Sequence, residues 1–331
     1  MDLATRDRLV SSFRQKVYNR IGFVPFEHQA EWQLAEEGFS LVRGVVPAIG
    51  SPSVAVLVYE SQLIPGDRPV STLLVNGHRC CVITRPIVPR PMRAKVIADL
   101  AAYKAGKSYG LGNWLAGFAI VPGLVQLVGL EYGTSEPEFN YLLDAVVSDR
   151  GMRMPYTKLQ NDKRGGRMIL KLATGCTYEV KSWSRKEALK GARVMCYAYT
   201  EAYQLPGLEC YTSVAQNLRE LQGAAIFATT PDRPWVGVFH DRGHGLDPEW
   251  YCTCGVDAHV NPFTYDQRAR DRDDPSKGGI MTRERYAISW CGKLGSFVGS
   301  CFDYQVGQRL FSPQTHPFLF DADRLARRLD A

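Results

Sequence analysis

No stretch of this sequence is both long and uninterruptedly apolar. The longest candidate, residues 114–128, is broken by Gly117, Pro122 and Gly123. That excludes a membrane span of about 20 apolar residues and suits a helix followed by a buried strand. A secretory leader is not expected, because residues 1–20 are charged and amphipathic. The nine cysteines are scattered rather than set in a framework of fixed spacings, so a reducing, cytosolic setting is expected. There are no internal repeats. With 45% apolar and 22% charged residues, the chain has enough apolar surface for a sizeable core and is not of disordered composition. The net charge of +6 is a mild basic excess, compatible with a nucleic-acid partner without requiring one.

Periodicity divides the 331 residues into four parts. Residues 1–40 read as helical, interrupted at Pro25. Residues 41–93 form a β-rich insertion: 53–60 (SVAVLVYE) and 71–84 (STLLVNGHRCCVIT) pattern as a hairpin or small sheet, and 85–91 (RPIVPRP) as a connector. From 94 to 312 strands alternate with helices. Strands are expected near 95–101, 121–129, 168–173, 177–182, 193–199 and 223–229, with helices at 106–119, 137–148 and 212–221. This alternation predicts an α/β fold with a mostly parallel central sheet flanked by helices. Residues 241–331 read as polar and irregular, with 266–277 a solvated charged loop and 313–331 a tail or linker.

Gly106-Lys107-Ser108 falls after a strand and at the start of a helix, the context of a phosphate-binding loop. There, backbone N–H groups cradle phosphates, a lysine reaches the β- and γ-phosphates and a hydroxyl holds Mg²⁺. Ala101 stands where the first glycine of the usual pattern would be. A second signal is the apolar run 194–199, ending at Thr200 and Glu201. Glu201 is placed to polarise an attacking water, while Thr200 occupies the position of the usual metal-orienting aspartate. The next strand ends in Thr229, Thr230 and Pro231, suited to sensing the γ-phosphate. In a parallel sheet these three ends lie side by side at the carboxyl edge.

Five segments in this order resemble the ATPase domain of bacteriophage large terminase subunits, the P-loop motors of viral genome packaging. They are 23–29 (FVPFEHQ), similar to the Q motif; 104–108 (KAGKS), similar to the Walker A loop; 127–142 (LVGLEYGTSEPEFNYL); 189–193 (LKGAR) running on to Glu201, similar to Walker B; and 228–231 (ATTP), similar to the coupling motif. Residues 260–262 and 308–311 are also similar to segments that close this domain. The resemblance implies a Mg²⁺-dependent ATPase that translocates double-stranded DNA into a procapsid. ATP would be held by Gln29, Lys104, Ala105, Gly106, Lys107 and Ser108, with Gln29 on adenine. Mg²⁺ would be held by Ser108 and, through water, Thr200. Lys107 and Glu201 would be catalytic, Arg185 would be supplied to a neighbouring subunit's ATP, and Thr229 and Thr230 would couple hydrolysis to movement. The implied partners are duplex DNA, a portal protein, a small terminase subunit and other copies of the chain in a ring, at the portal vertex in host cytoplasm. Tyr103 stands where the family commonly has arginine. No later acidic cluster suits a two-metal nuclease, so nuclease activity is not expected from this chain and would reside elsewhere. Two alternatives stay open: a helicase-like nucleic-acid ATPase without a capsid role, and a degenerate relative that only binds DNA or portal.

Other constellations are weaker. Cys252 and Cys254, with His259 nearby, have poor spacing for a zinc knuckle, and Cys291 and Cys301 would complete a site only if the fold brought them in. Cys80 and Cys81 read as strand residues. His240, Asp241 and His244 are expected in a flexible loop after the coupling motif. Lys158, Lys163, Arg164 and Arg167 form a basic loop able to contact phosphates.

Overall fold

The computed structural model describes residues 2–43, 45, 47–48, 50–75, 77–162, 167–189, 191–245, 247–256, 258–261 and 288–293. The segments 163–166, 266–277, 308–311 and 313–331, together with Cys301, lie outside the described residues. In chain order the elements are α1 (Leu3–Ile21), α2 (Glu27–Glu37), β1 (Phe39–Leu41), β2 (Ser53–Tyr59), β3 (Pro69–Val75), β4 (His78–Pro89), β5 (Val96–Ala101), α3 (Lys107–Leu115), β6 (Gly123–Gly129), α4 (Glu136–Val146), β7 (Tyr156–Asp162), β8 (Arg167–Leu172), β9 (Cys176–Ser182), β10 (Cys196–Thr200), α5 (Glu209–Thr212), α6 (Gln216–Arg219), β11 (Ala224–Thr229), α7 (Gly237–Gly243) and β12 (Trp250–Val256).

Eight strands form one sheet in the order β12-β5-β11-β10-β6-β9-β8-β7. From β12 to β9 every pairing is parallel; β8 and β7 add an antiparallel edge. The central strands β5, β10 and β11 are buried at every position, which is why they read as continuous apolar runs rather than alternating ones. Phe139, Leu142, Leu111 and Trp114 fill one face of the sheet; Tyr197, Tyr199, Phe227 and Phe239 fill the other. This is the α/β class expected, with helices on both faces of a mostly parallel sheet.

The β-rich stretch is a separate antiparallel sheet in which β4 pairs with β1, β2 and β3. It packs Val56, Val58, Cys81 and Ile83 against Ala30 of α2. Arg85 ties it down through ion pairs with Glu27 and Asp67. α1 is held to the core by Arg14, which donates to the Trp114 carbonyl at 3.2 Å and sits 4.6 Å over the Trp114 ring.

Several local expectations change. β4 continues to Pro89, so most of 85–91 is strand rather than connector. The single helix expected over 212–221 is two one-turn helices, α5 and α6. Residues after 241 are not irregular throughout, because β12 joins the edge of the main sheet beside β5. His240 and Asp241 lie in α7, with His244 as its C-cap. Lys158 and Arg167 lie in the paired strands β7 and β8 rather than in a loop.

Candidate functional site at the carboxyl edge of the sheet

The loop between β5 and α3 turns twice through the left-handed region, at Lys104 (φ 66°) and Gly106 (φ 92°). Ala101 has no such requirement, since it closes β5 as ordinary strand. The missing first glycine therefore costs this loop nothing in backbone strain. The loop carbonyls are engaged from within. Lys107 Nζ donates to the carbonyls of Ala101 at 2.9 Å and Ala102 at 2.8 Å. Asn261 Nδ2 donates to the Lys104 carbonyl at 2.6 Å, and Gln29 Nε2 to that of Gly106 at 2.9 Å. From the adjoining segments, the carbonyl of Val256 accepts from Ala102 N–H at 2.8 Å and that of Ser289 from Tyr103 N–H at 2.6 Å. Ala101, Ala102 and Ala105 pack with Ala258 and Trp290 beneath the loop.

Lys107 is 6% exposed. Burial pushes its pKa down, opposed by the charges of Glu201, Asp99 and Glu138. Its ammonium lies 3.4 Å from Thr230 Oγ1 at the end of β11. Thr229 Oγ1 accepts from the backbone N–H of Tyr203 at 2.8 Å, two residues beyond Glu201. Since β11 lies between β5 and β10, the sheet order itself brings Lys107, Thr230 and Glu201 together. Glu201 is held at φ 44°, ψ 48°, and its Oε2 is buried without a hydrogen-bond partner among the described residues.

Two expected roles are corrected. Thr200 is not available to a metal-bound water: its hydroxyl is 2.6 Å from Ser135 Oγ, and both residues are wholly buried. Gln29 does not face outward to a base. It is 0% exposed, and its Oε1 accepts from Phe26 N–H at 2.9 Å while its Nε2 serves Gly106. It positions the loop from below. Ala105 is buried, whereas Lys104 is exposed, with its ammonium 5.2 Å over the Tyr103 ring. Arg185 is exposed at a kink in 183–189, just after β9. β9, the strand that leads to Arg185, is four places from β5, the strand that leads to Lys107, in the sheet, roughly 19 Å at ordinary strand spacing.

Glu138 joins the site without any sequence motif of its own. It lies in the first turn of α4, 2% exposed. Burial raises its pKa to about 7, partly offset by a hydrogen bond from Ser108, and Glu201 and Lys107 lie close enough to act on it. Its Oε2, like that of Glu201, has no partner among the described residues. The sequence did not single out Asp99 or His28 either. Asp99 accepts from Thr253 Oγ1 at 2.9 Å, and its second oxygen is 3.9 Å from His28 Nε2. Nothing in the spacing of 138 from 108 marks it in advance.

No protein-family model matches the chain, and no curated protein matches it. Among solved structures, it is similar to the large terminase ATPase domain of a Thermus phage, at 16% identity and a TM-score of 0.49, over 62% of this chain and 90% of that one. It is also similar to the large terminase of a thermophilic bacteriophage, at 14% identity and a TM-score of 0.47, over 61% of this chain and 48% of that one. The same thermophilic phage protein in complex with ATP-gamma-S matches at 13% identity and a TM-score of 0.43, over 61% of this chain and 47% of that one. The chain thus spans about half the length of that large terminase chain. No helix among the described residues is long and apolar enough to cross a membrane.

Proposed function

We propose that the chain is an ATP-hydrolysing motor of the large-terminase kind, moving double-stranded DNA into a viral procapsid. The observation that carries the hydrolytic part is the convergence of Lys107, Thr230 and Glu201 from three neighbouring strand ends on one phosphate-binding loop. A buried lysine satisfied only by loop carbonyls and one hydroxyl is poised to exchange those partners for phosphate oxygens. Glu201 carries a carboxylate oxygen with no other use and suits the orientation of water. The bond from Thr229 to the segment after Glu201 links the γ-phosphate side of the site to the backbone that would move.

Mg²⁺ fits the donors present, because Ser108 and the orphaned carboxylate oxygens surround the loop. When bound it supplies charge neutralisation on the transferring phosphoryl group. The order of the five terminase-like segments supports the DNA-packaging part. With it come the partners: duplex DNA, portal, small terminase subunit and further copies in a ring at the portal vertex in host cytoplasm. Thr200, an alcohol where an acid is usual, favours a second reading, a nucleotide-binding relative with lost turnover.

Steady-state ATP hydrolysis with and without duplex DNA, on the wild type and on Lys107→Ala, separates these. The expected result is turnover that DNA raises and that the substitution lowers by at least about 100-fold. Nucleotide binding without turnover at ring-forming concentrations supports the second reading. Absence of both binding and turnover overturns the proposal.

A further inference from the structure

The position that lacks an acid and the acid that no motif announced are parts of one arrangement. The Thr200 hydroxyl closes β10 and bonds to Ser135, the N-cap residue of α4. That bond pins the start of α4 against the end of β10. Glu138 follows three residues later, in the first helical turn. On the facing helix, Ser108 and Gly112 are one turn apart and share a face. Gly112 has no side chain where one would collide: a Cβ there would lie 2.7 Å from the Glu138 carbonyl and 2.7 Å from Tyr141 Cβ. The close approach of α3 and α4 at Gly112 thus brings the Glu138 carboxylate to the Ser108 hydroxyl.

The geometry points to Glu138 as the carboxylate that anchors the nucleotide's Mg²⁺, supplied from α4 in place of the acid that Thr200 does not provide. This inference rests on the nucleotide-hydrolysing reading above. Its support is a side chain 2% exposed whose Oε2 has no partner among the described residues, beside the loop lysine and the metal-type hydroxyl. Among the described residues, Glu138 and Glu201 share the single nearby charge of Lys107, and keeping carboxylates buried with so little compensation is costly, a cost that a bound cation relieves.

The test is binding of a fluorescent ADP analogue as a function of Mg²⁺ concentration, on the wild type, Glu138→Gln and Glu138→Asp. Thermal unfolding confirms that each variant is folded. Wild type is expected to bind more tightly as Mg²⁺ rises. Glu138→Gln should keep its Mg²⁺-free affinity but need about 10–100-fold more Mg²⁺ for the same gain, the range found when groups supporting a metal site are removed. Glu138→Asp, which keeps a carboxylate on α4 and leaves the Thr200–Ser135 bond in place, should retain much of the Mg²⁺ gain. An unchanged Mg²⁺ requirement in Glu138→Gln overturns the inference while leaving the ATPase reading intact. A wild type that binds no nucleotide at any Mg²⁺ concentration overturns both.

A separate observation carries a second site. His240 and His244 are one turn apart on α7, and together with Cys254 of β12 they bring three ligand atoms within 4.8 Å of one another. His244 Nε2 is 3.4 Å from Cys254 Sγ, close to the roughly 3.6 Å expected between N and S ligands of one tetrahedral zinc. His240 Nδ1 is 3.2 Å from Asp241 Oδ1, which fixes the ring with Nε2 as its second nitrogen, as a carboxylate does behind a metal-bound histidine. We infer that these three residues bind Zn²⁺ and staple α7 to β12. Cys252 is outside the set, its thiol turned to the Thr253 carbonyl at 3.4 Å. Titration with Co²⁺ should give a thiolate-to-cobalt absorption band saturating at one equivalent, lost in Cys254→Ser and weakened at least 10-fold in His244→Ala. No thiolate band, or a band that survives Cys254→Ser, overturns the site.

Discussion

Glu201 is a non-glycine residue in the left-handed region, at φ 44° and ψ 48°. That conformation costs roughly 1–2 kcal/mol for an L-residue, whereas glycine loses only about 0.5–1 kcal/mol through its greater freedom when unfolded. Glu201→Gly also removes the buried, unpartnered Oε2. The balance favours the variant, which should be more stable than wild type by about 0.5–1 kcal/mol in urea unfolding while losing hydrolysis. A loss of more than about 1 kcal/mol would show that the backbone there is not strained.

His28 shows the same coupling of site and stability. Burial lowers its pKa, with Asp99 and Glu27 opposing and Lys107 and Arg43 assisting. A folded pKa below the unfolded value means that stability is fully present above about pH 6.5 and is lost as pH falls from there toward the folded pKa. Unfolding free energy of the wild type should therefore fall toward pH 5.5, with a slope of up to about 1.4 kcal/mol per pH unit from this one group. His28→Gln should show a flatter profile over the same range. Parallel profiles would assign the acid sensitivity to other groups.

At the scale of elements, two glycines of α3 separate cheap from expensive contacts. A Cβ at Gly110 would meet the end of the Gln29 side chain at 2.7 Å, and one at Gly112 would meet the Glu138 backbone carbonyl at the same distance. The Gln29 side chain can shift at the expense of its two hydrogen bonds, but the backbone of α4 moves only with its packing. Gly112→Ala should therefore destabilise by about 1–3 kcal/mol, and Gly110→Ala by clearly less. Gly110→Ala should instead weaken nucleotide binding, because Gln29 is displaced from the Gly106 carbonyl. The reverse order of stabilities in denaturant titrations would contradict the packing of α3 on α4 described above.

At the scale of the whole molecule, the sheet places Arg185 after β9, four strands from the loop strand β5. In the proposed ring, an arginine there would be offered to the ATP of another copy rather than its own. Arg185→Ala should bind nucleotide normally and lose about 10³-fold in turnover. Mixing it with Lys107→Ala, which keeps its arginine, should restore part of the activity at ring-forming concentrations. No recovery in the mixture would place the stabilising cation elsewhere.

The alternation of elements was legible in the chain itself, and so were the strand-to-helix setting of Gly106-Lys107-Ser108 and the position of Glu201 just past the end of β10. Buried parallel strands must be apolar throughout, and a loop that cradles phosphate needs its glycine and lysine adjacent in sequence. Local patterning carried no equivalent signal for β12, an edge strand joined to the sheet by long-range pairing, or for the break of 212–221 into two single turns. The surroundings of Gln29, Thr200 and Glu138 are set by tertiary structure alone. Which way Gln29 points depends on the space beside Gly110. Whether Thr200 meets metal or Ser135 depends on where α4 begins. Glu138 reaches Ser108 only because Gly112 lets two helices touch. A sequence shows which residues neighbour one another along the chain, but the close approach of elements far apart in sequence is set by packing, and in this protein that approach assembles the acid side of the site.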